Sequence, residues 1–174
     1  TADNPYCGLL WDAALVLAAR VMNGPELGGR HVLDLGCGVG LTGIAAASRG
    51  GSVTFADVMP QALALAKRNA ERAGVAGEKY VELDLRHVDG TGERFDLVLA
   101  SDVLYDASRI DAVVSAMKSL LAPGGVAWLS DPCRGSADDF EERARRAGFA
   151  VSTVKEKAPE STVEVRTFEL RVAG

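Results

Sequence analysis

The stretch Val32-Leu33-Asp34-Leu35-Gly36-Cys37-Gly38-Val39-Gly40-Leu41-Thr42-Gly43 decides how this chain folds. Residues 31–35 form a short apolar run of strand length, 36–40 a glycine turn, and 41–49 a helix closed by Gly50-Gly51. A strand running through glycines into a helix begins a doubly wound sheet, whose ligands bind at the carboxyl edge of the strands. Glycine lets a ligand approach the backbone because no Cβ intervenes. N–H groups at the following helix N-terminus can receive a carboxylate or a phosphate.

The alternation continues outward from this stretch. Ahead of it, residues 9–22 read as a helix with Leu10, Ala14, Leu17 and Val21 on one stripe, ended by Asn23-Gly24-Pro25. Behind it come a strand over 52–56 ending at Asp57, a helix from Pro60 to Ala73 with Gly74 beyond, and a strand over 80–83. Residues 86–94 are polar and too short for a normal crossover helix, and 95–100 form a fourth strand. Ile110, Val113, Val114, Met117, Leu120 and Leu121 make a helical stripe, stopped by Pro123-Gly124-Gly125 before a strand over 126–129. Ser136-x-x-Asp139 has the form of a capping box for a helix to Ala147. Two further strands, 149–154 and 163–170, are joined by a hairpin-like connection that makes the last one antiparallel. Strands alternating with amphipathic helices predict an α/β fold, a parallel sheet covered by helices on both faces.

At 174 residues the chain suits one domain, 1–174, with 1–24 as an N-terminal helix segment packing on it. This length excludes a two-domain dehydrogenase or a large barrel. Hydrophobic residues at 48% and charged residues at 25% predict a folded chain rather than a disordered one. A net charge of −5 lacks the basic footprint of a nucleic-acid binder, so no nucleic-acid partner is expected. No apolar run reaches the ~18 residues of a membrane span. Thr1-Ala2-Asp3-Asn4-Pro5 has no secretory pattern, so no membrane association is expected either. The chain starts without a methionine, which leads us to expect processing or trimming at this end. Cys7, Cys37 and Cys133 are odd in number with no Cys-x-x-Cys, which implies no zinc site and no disulfide framework and fits a reducing, cytoplasmic location.

Gly38-x-Gly40-x-x-Gly43 formally satisfies the dinucleotide fingerprint. Asp34 argues for a different ligand, because a carboxylate just ahead of the loop repels a diphosphate and favours a cation. S-adenosylmethionine, with a sulfonium and an ammonium, suits that pattern; alternatively Asp34 caps the backbone of the loop. Asp57, 21 residues after Gly36, can accept both ribose hydroxyls of a nucleoside, or else N-cap the helix at Pro60. Asp84 ends the third strand and can accept from an adenine amino group with Leu85 packed on the ring, or be a solvated strand end.

Asp34-x-Gly36-x-Gly38-x-Gly40, Asp57, Asp84-Leu85 and Phe95-Asp-Leu-Val-Leu-Ala-Ser-Asp102 together resemble class I S-adenosylmethionine-dependent methyltransferases over nearly the whole chain. The resemblance implies a Rossmann-like doubly wound sheet of seven strands, mostly parallel with an antiparallel last strand. It also implies S-adenosyl-L-methionine as cofactor and S-adenosyl-L-homocysteine as product. Trp11-Asp12-Ala13-Ala14 and Asp102-Val103-Leu104-Tyr105 resemble the Trp-containing segment and the D-x-x-Y hallmark of seven-β-strand protein-lysine methyltransferases. Asp131-Pro132-Cys133-Arg134 resembles the D-P-G-R segment of the branch acting on the electron transfer flavoprotein β-subunit, with Cys133 in place of Gly. Pro5-Tyr6-Cys7 departs from that branch's Pro-Tyr/Phe-Trp pattern, and a related group once named nicotinamide N-methyltransferases shares most of these features.

By this resemblance Trp11, Gly36, Gly38, Asp57, Leu85 and Ser101 line the cofactor site, although the family often has Trp near Leu85 and Ala at Ser101. With Asp34, Cys37, Gly40, Val58 and Asp84 they form the candidate cofactor-binding set; Asp102 and Tyr105 are the candidate catalytic pair. The favoured acceptor is a protein lysine, the alternative a small molecule methylated at nitrogen or oxygen. A carboxylate favours the ammonium form of an amine, so the role open to Asp102 is to stabilise positive charge arriving at nitrogen in the transition state. Tyr105 would wall the lysine channel with its ring and orient the amine with its hydroxyl. Alternatively, Tyr105 is a half-buried aromatic at a helix start and Asp102 caps that helix. His87 reads as a solvated loop residue, Arg134 as another or else as a contact for an acidic substrate group, His31 lies on the opposite edge of the sheet, Glu141-Glu142-Arg143 and Arg145-Arg146 read as an exposed helix face, and Trp128 reads as core. An NAD-dependent oxidoreductase and a catalytically silent binding module are the rival classes. Asp34 and the lack of a substrate domain argue against the oxidoreductase.

Overall fold

Apolar side chains alternate along the central strands and build a core on each face of a single sheet. The computed structural model describes residues 8–75, 79–88, 92–158 and 161–173. The Pro5-Tyr6-Cys7 motif, the chain start before it, and Pro159-Glu160 of the last connection lie outside the described residues. The strands are β1 His31–Leu35, β2 Ser52–Asp57, β3 Lys79–Glu82, β4 Phe95–Ser101, β5 Leu121–Asp131, β6 Phe149–Lys157 and β7 Glu164–Val172. The helices are α1 Asp12–Asn23, α2 Leu41–Ser48, α3 Pro60–Arg72, α4 Ile110–Leu120 and α5 Phe140–Arg146.

The seven strands run in the order β3-β2-β1-β4-β5-β7-β6. The pairs among β1 to β5 are parallel, and β7 lies antiparallel between β5 and β6. Val32, Leu97 and Leu99 join one core with Leu17 and Val21 of α1, Ala45 and Ala46 of α2, and Ala66 and Ala70 of α3. Leu33, Leu35, Val98 and Ala100 join the other with Val113 and Met117 of α4 and Phe140 and Ala144 of α5. The period of two along a strand thus places helices on both faces, as the pattern predicts. No helix among the described residues is long and apolar enough to cross a membrane.

Two expectations from the punctuation residues are corrected. The helix ends at Leu120, ahead of Pro123-Gly124-Gly125, and β5 already begins at Leu121, which the stripe assigns to the helix. Phe95 pairs with Leu121 and Leu97 with Val126, so the extra residues are extruded as a bulge. Gly124 takes φ +77° there, and a Cβ on Gly125 would lie 2.9 Å from the Phe95 carbonyl. Ser136 opens no capping box: its hydroxyl donates to the Leu104 carbonyl at 2.7 Å. The chain makes a 3₁₀ turn over Gly135–Ala137, and α5 starts after Asp139 without a side-chain cap.

Chain order reverses direction across the sheet between β1 and β4, and at such a point two neighbouring loops diverge and leave a crevice at the carboxyl edge. The site lies there.

Candidate active site

A cavity of about 570 Å³ occupies this crevice, within the ~300–1,000 Å³ range of small-molecule sites. Each strand end contributes a wall. Gly36, Cys37 and Gly38 follow β1; Asp57 and Val58 close β2; Asp84 and Leu85 follow β3; Ser101 ends β4, and Asp102 and Tyr105 follow it. Trp11, at the N-cap of α1, covers one side. Every candidate residue from the sequence therefore reaches the cavity except Asp34 and Gly40.

The reason for both exceptions is packing. A Cβ on Gly40 would lie 2.9 Å from Ala66 Cβ, and one on Gly43 would overlap the Phe55 ring. These glycines bring α2 close to β2 and α3 and do not face a ligand. Asp34 is buried, with Oδ1 accepting from Thr42 Oγ1 at 2.6 Å and Oδ2 from the Gly43 N–H at 2.8 Å. Its side chain points inward and braces the first turn of α2, so the charge-selecting role expected of it is corrected to the loop-capping alternative.

Burial pushes the Asp34 carboxyl up to about 7 from 3.8. A raised folded-state pKa means the folded protein holds the proton more tightly than the unfolded chain. Stability from this group is therefore fully present below about pH 4 and is lost as pH rises through about 7. Asp34→Asn can still accept from the Gly43 N–H and can donate to Thr42, but carries no charge. We expect its stability advantage over the parent to grow across that interval and level off at ~4 kcal/mol, from a shift of about 3 pKa units at ~1.4 kcal/mol per unit. Urea midpoints across the pH range check this; parallel profiles for the two proteins would refute the buried-acid account.

The glycine turn uses its amides internally. Gly36 and Cys37 N–H donate to the Ala56 carbonyl at 2.8 and 3.0 Å, Gly40 N–H to the Cys37 carbonyl at 2.7 Å, and Gly38 N–H to Asp57 Oδ2 at 3.0 Å. These four amides are not available to cradle a diphosphate. The argument against a diphosphate therefore rests on this pattern and on the Asp57 carboxylate at the cavity wall, not on Asp34. Asp57 also accepts the Met59 N–H at 2.9 Å and so shapes the entry to α3. Each of its oxygens keeps a lone pair for a ribose hydroxyl.

Asp84 N-caps a 3₁₀ turn over Leu85–His87 through the Arg86 N–H. The Arg86 guanidinium beside it holds its carboxyl well below the usual carboxylate range. It stands at the cavity edge, and His87 beside it is exposed, as expected.

Asp102 sits in the left-handed region at φ +53°. Its N–H donates to the Ser130 carbonyl at 2.8 Å, which ties it to the end of β5. It caps no helix; Asp106 does that, accepting from the Ser108 N–H and hydroxyl. Tyr105 is 54% exposed, not half-buried in a helix start, and the Arg109 guanidinium covers its ring at 5.0 Å from the centroid.

Sequence reasoning missed the pairing of Arg134 with Asp102. Its Nε and Nη2 donate to Asp102 Oδ1 and Oδ2 at 2.9 and 2.8 Å, a two-point fork on the cavity wall. Its backbone is pinned by the buried Asp131, which accepts the Arg134 N–H at 2.8 Å, and by Arg166, which donates to its carbonyl at 2.7 Å. Cys133 before it has φ +55°, which explains why the resembling family favours Gly there. The available signal was positional: Arg134 follows the carboxyl end of β5 just as Asp102 follows that of β4. Trp128 is also less simply core than expected, with its Nε1 donating to Glu169 at 3.0 Å and Arg20 stacked over the ring.

A strand-ordered α/β sheet with a nucleoside-sized crevice at its reversal point defines a class, and the comparisons agree. A family model described as a methyltransferase domain matches residues 32–125, and the chain belongs to this family, the class I S-adenosylmethionine-dependent methyltransferases. It is 32% identical over 143 residues to an electron transfer flavoprotein beta subunit lysine methyltransferase from Danio rerio, covering 80% of this chain and 55% of that one. It is 31% identical over 156 residues to a protein N-lysine methyltransferase from the same organism, covering 84% and 70%. It is 37% identical over 98 residues to a ubiquinone biosynthesis O-methyltransferase from Cereibacter sphaeroides, covering 56% and 39%. The chain thus spans about half the length of the curated relatives it matches. An N-methyltransferase NodS structure from Bradyrhizobium japonicum superposes with a TM-score of 0.72 at 21% identity, over 92% of this chain and 86% of that one, a likeness of fold.

Proposed function

We propose that this chain is an S-adenosylmethionine-dependent N-methyltransferase whose acceptor is a protein lysine side chain. The observation that carries this reading is the placement of Asp102 and Tyr105 on the wall of the same cavity as Asp57 and the amide-satisfied glycine turn. The residues fit the cofactor. Asp57 has lone pairs for the ribose, and Val58 and Leu85 offer apolar walls for an adenine. Gly36 and Gly38 let the backbone come close to the amino-acid end. When bound, S-adenosylmethionine supplies an electrophilic methyl group.

The chain's own work is alignment, and orientation of this type can supply ~7–11 kcal/mol. An acceptor ammonium must first give a proton to solvent, since only a free lone pair on nitrogen can take the methyl group that the bound cofactor would supply. Asp102 stabilises the positive charge arriving at nitrogen, and Tyr105, exposed at the mouth, flanks the approach. No enzyme nucleophile is required.

A small-molecule acceptor is the second reading. It is favoured by the likeness to a ubiquinone biosynthesis O-methyltransferase, at an identity as high as that to the lysine enzymes. Calorimetric titration with S-adenosylhomocysteine and with NAD is the first test. Binding of the former alone is expected, and binding of NAD alone would end the methyltransferase reading. Labelling a cell lysate with methyl-tritiated cofactor then identifies the acceptor: a labelled protein lysine supports the first reading, a labelled small molecule the second.

A further inference from the structure

The geometry points to Arg134 as an internal counter-ion that holds the acceptor's place on Asp102 and gives way to a cationic amine when the acceptor enters. This rests on Asp102 marking the acceptor end of the proposed methyltransferase site, and it adds a selection rule: amines are admitted and neutral hydroxyls are not.

Asp102 is covered by its partner. Its side chain is only 10% exposed, while Arg134 over it is 38% exposed, and both line the cavity. Adjacent strand ends aim the two at each other through left-handed residues, Asp102 itself at φ +53° and Cys133 at φ +55°. The anchoring of Arg134 is all in its backbone, through Asp131 and Arg166. Among the described residues its guanidinium hydrogen bonds go to Asp102. The side chain can therefore leave without unmaking the loop.

A part-buried carboxylate is costly without a cation. Whatever displaces the guanidinium must bring its own positive charge. An ammonium on a slender aliphatic stem does so, as a point charge with three donors. A phenol or alcohol brings no charge to replace the guanidinium, so the Asp102–Arg134 pair stays closed against it. The fork with Arg134 is in this sense the resting image of the acceptor complex.

The test uses the full chain saturated with S-adenosylhomocysteine. Two probes are titrated and followed by NMR shifts: N-acetyl-lysine methylamide, which is cationic, and its Nε-acetylated counterpart, which is neutral. Arg134→Ala and Arg134→Gln should bind the cationic probe at least about tenfold more tightly than the parent, because a competitor occupying the site nine-tenths of the time lowers apparent affinity by about that factor. The neutral probe should change by less than about twofold. Adding Asp102→Asn to Arg134→Gln should abolish the gain. Arg134→Gln keeps much of the stem and answers the question if the alanine variant does not fold. No tightening, or equal tightening of both probes, would overturn the exchange. The homocysteine nucleoside titration on the same samples separates the failures: its absence of binding defeats the proposed function, whereas binding without the gain defeats only this inference.

Discussion

Asp102→Asn should cut methyl-transfer turnover by about 10²-fold or more while leaving S-adenosylhomocysteine affinity within about twofold, as expected of a group that acts on positive charge at the acceptor nitrogen and not on the nucleoside. The substitution is nearly isosteric. The amide can still accept from Arg134 through Oδ1, but places an NH₂ group against the nitrogen that now meets Oδ2 at 2.8 Å. What it removes is the negative charge toward which positive charge moves as the methyl passes from sulfur to nitrogen. Labelled methyl incorporation at saturating cofactor, measured beside calorimetry, checks the split. Equal losses in turnover and affinity would make Asp102 a structural residue.

Asp57→Ala should weaken S-adenosylhomocysteine binding by ~1–3 kcal/mol, roughly 5- to 150-fold, through hydrogen bonds to the ribose. The upper part of that range is expected, because the same carboxylate also receives the Gly38 and Met59 N–H groups at 3.0 and 2.9 Å. Alanine therefore frees two amides and loosens both the glycine turn and the entry to α3. Asp57→Asn retains one acceptor oxygen and should fall between. Calorimetric Kd values for the three proteins decide it, and an unchanged affinity in Asp57→Ala would remove Asp57 from the nucleoside site.

Much of this site was legible in the residues alone. Gly36, Gly38 and Leu85 follow strand ends and Asp57 and Ser101 stand at them, and these strands are recognisable as short apolar runs. The β5 bulge at Pro123-Gly124-Gly125 was not legible, because the same residues that stop a helix also permit a bulge. Nor was the failed capping box at Ser136, whose hydroxyl found the Leu104 carbonyl, 32 residues away in sequence.

The sequence by itself determined the strand–glycine–helix unit, the run of alternating elements and the two-faced core. These follow from periodicity and from glycine's freedom at positive φ, which act between near neighbours. The tertiary structure alone decided what each carboxylate does. Asp34 turned inward because Thr42 and Gly43 reach it. Asp102 met Arg134 because β4 and β5 lie side by side and Arg166, carried on the antiparallel β7, pins the loop between. A carboxylate's role is set by the donors that surround it, and here those donors arrive from other strands.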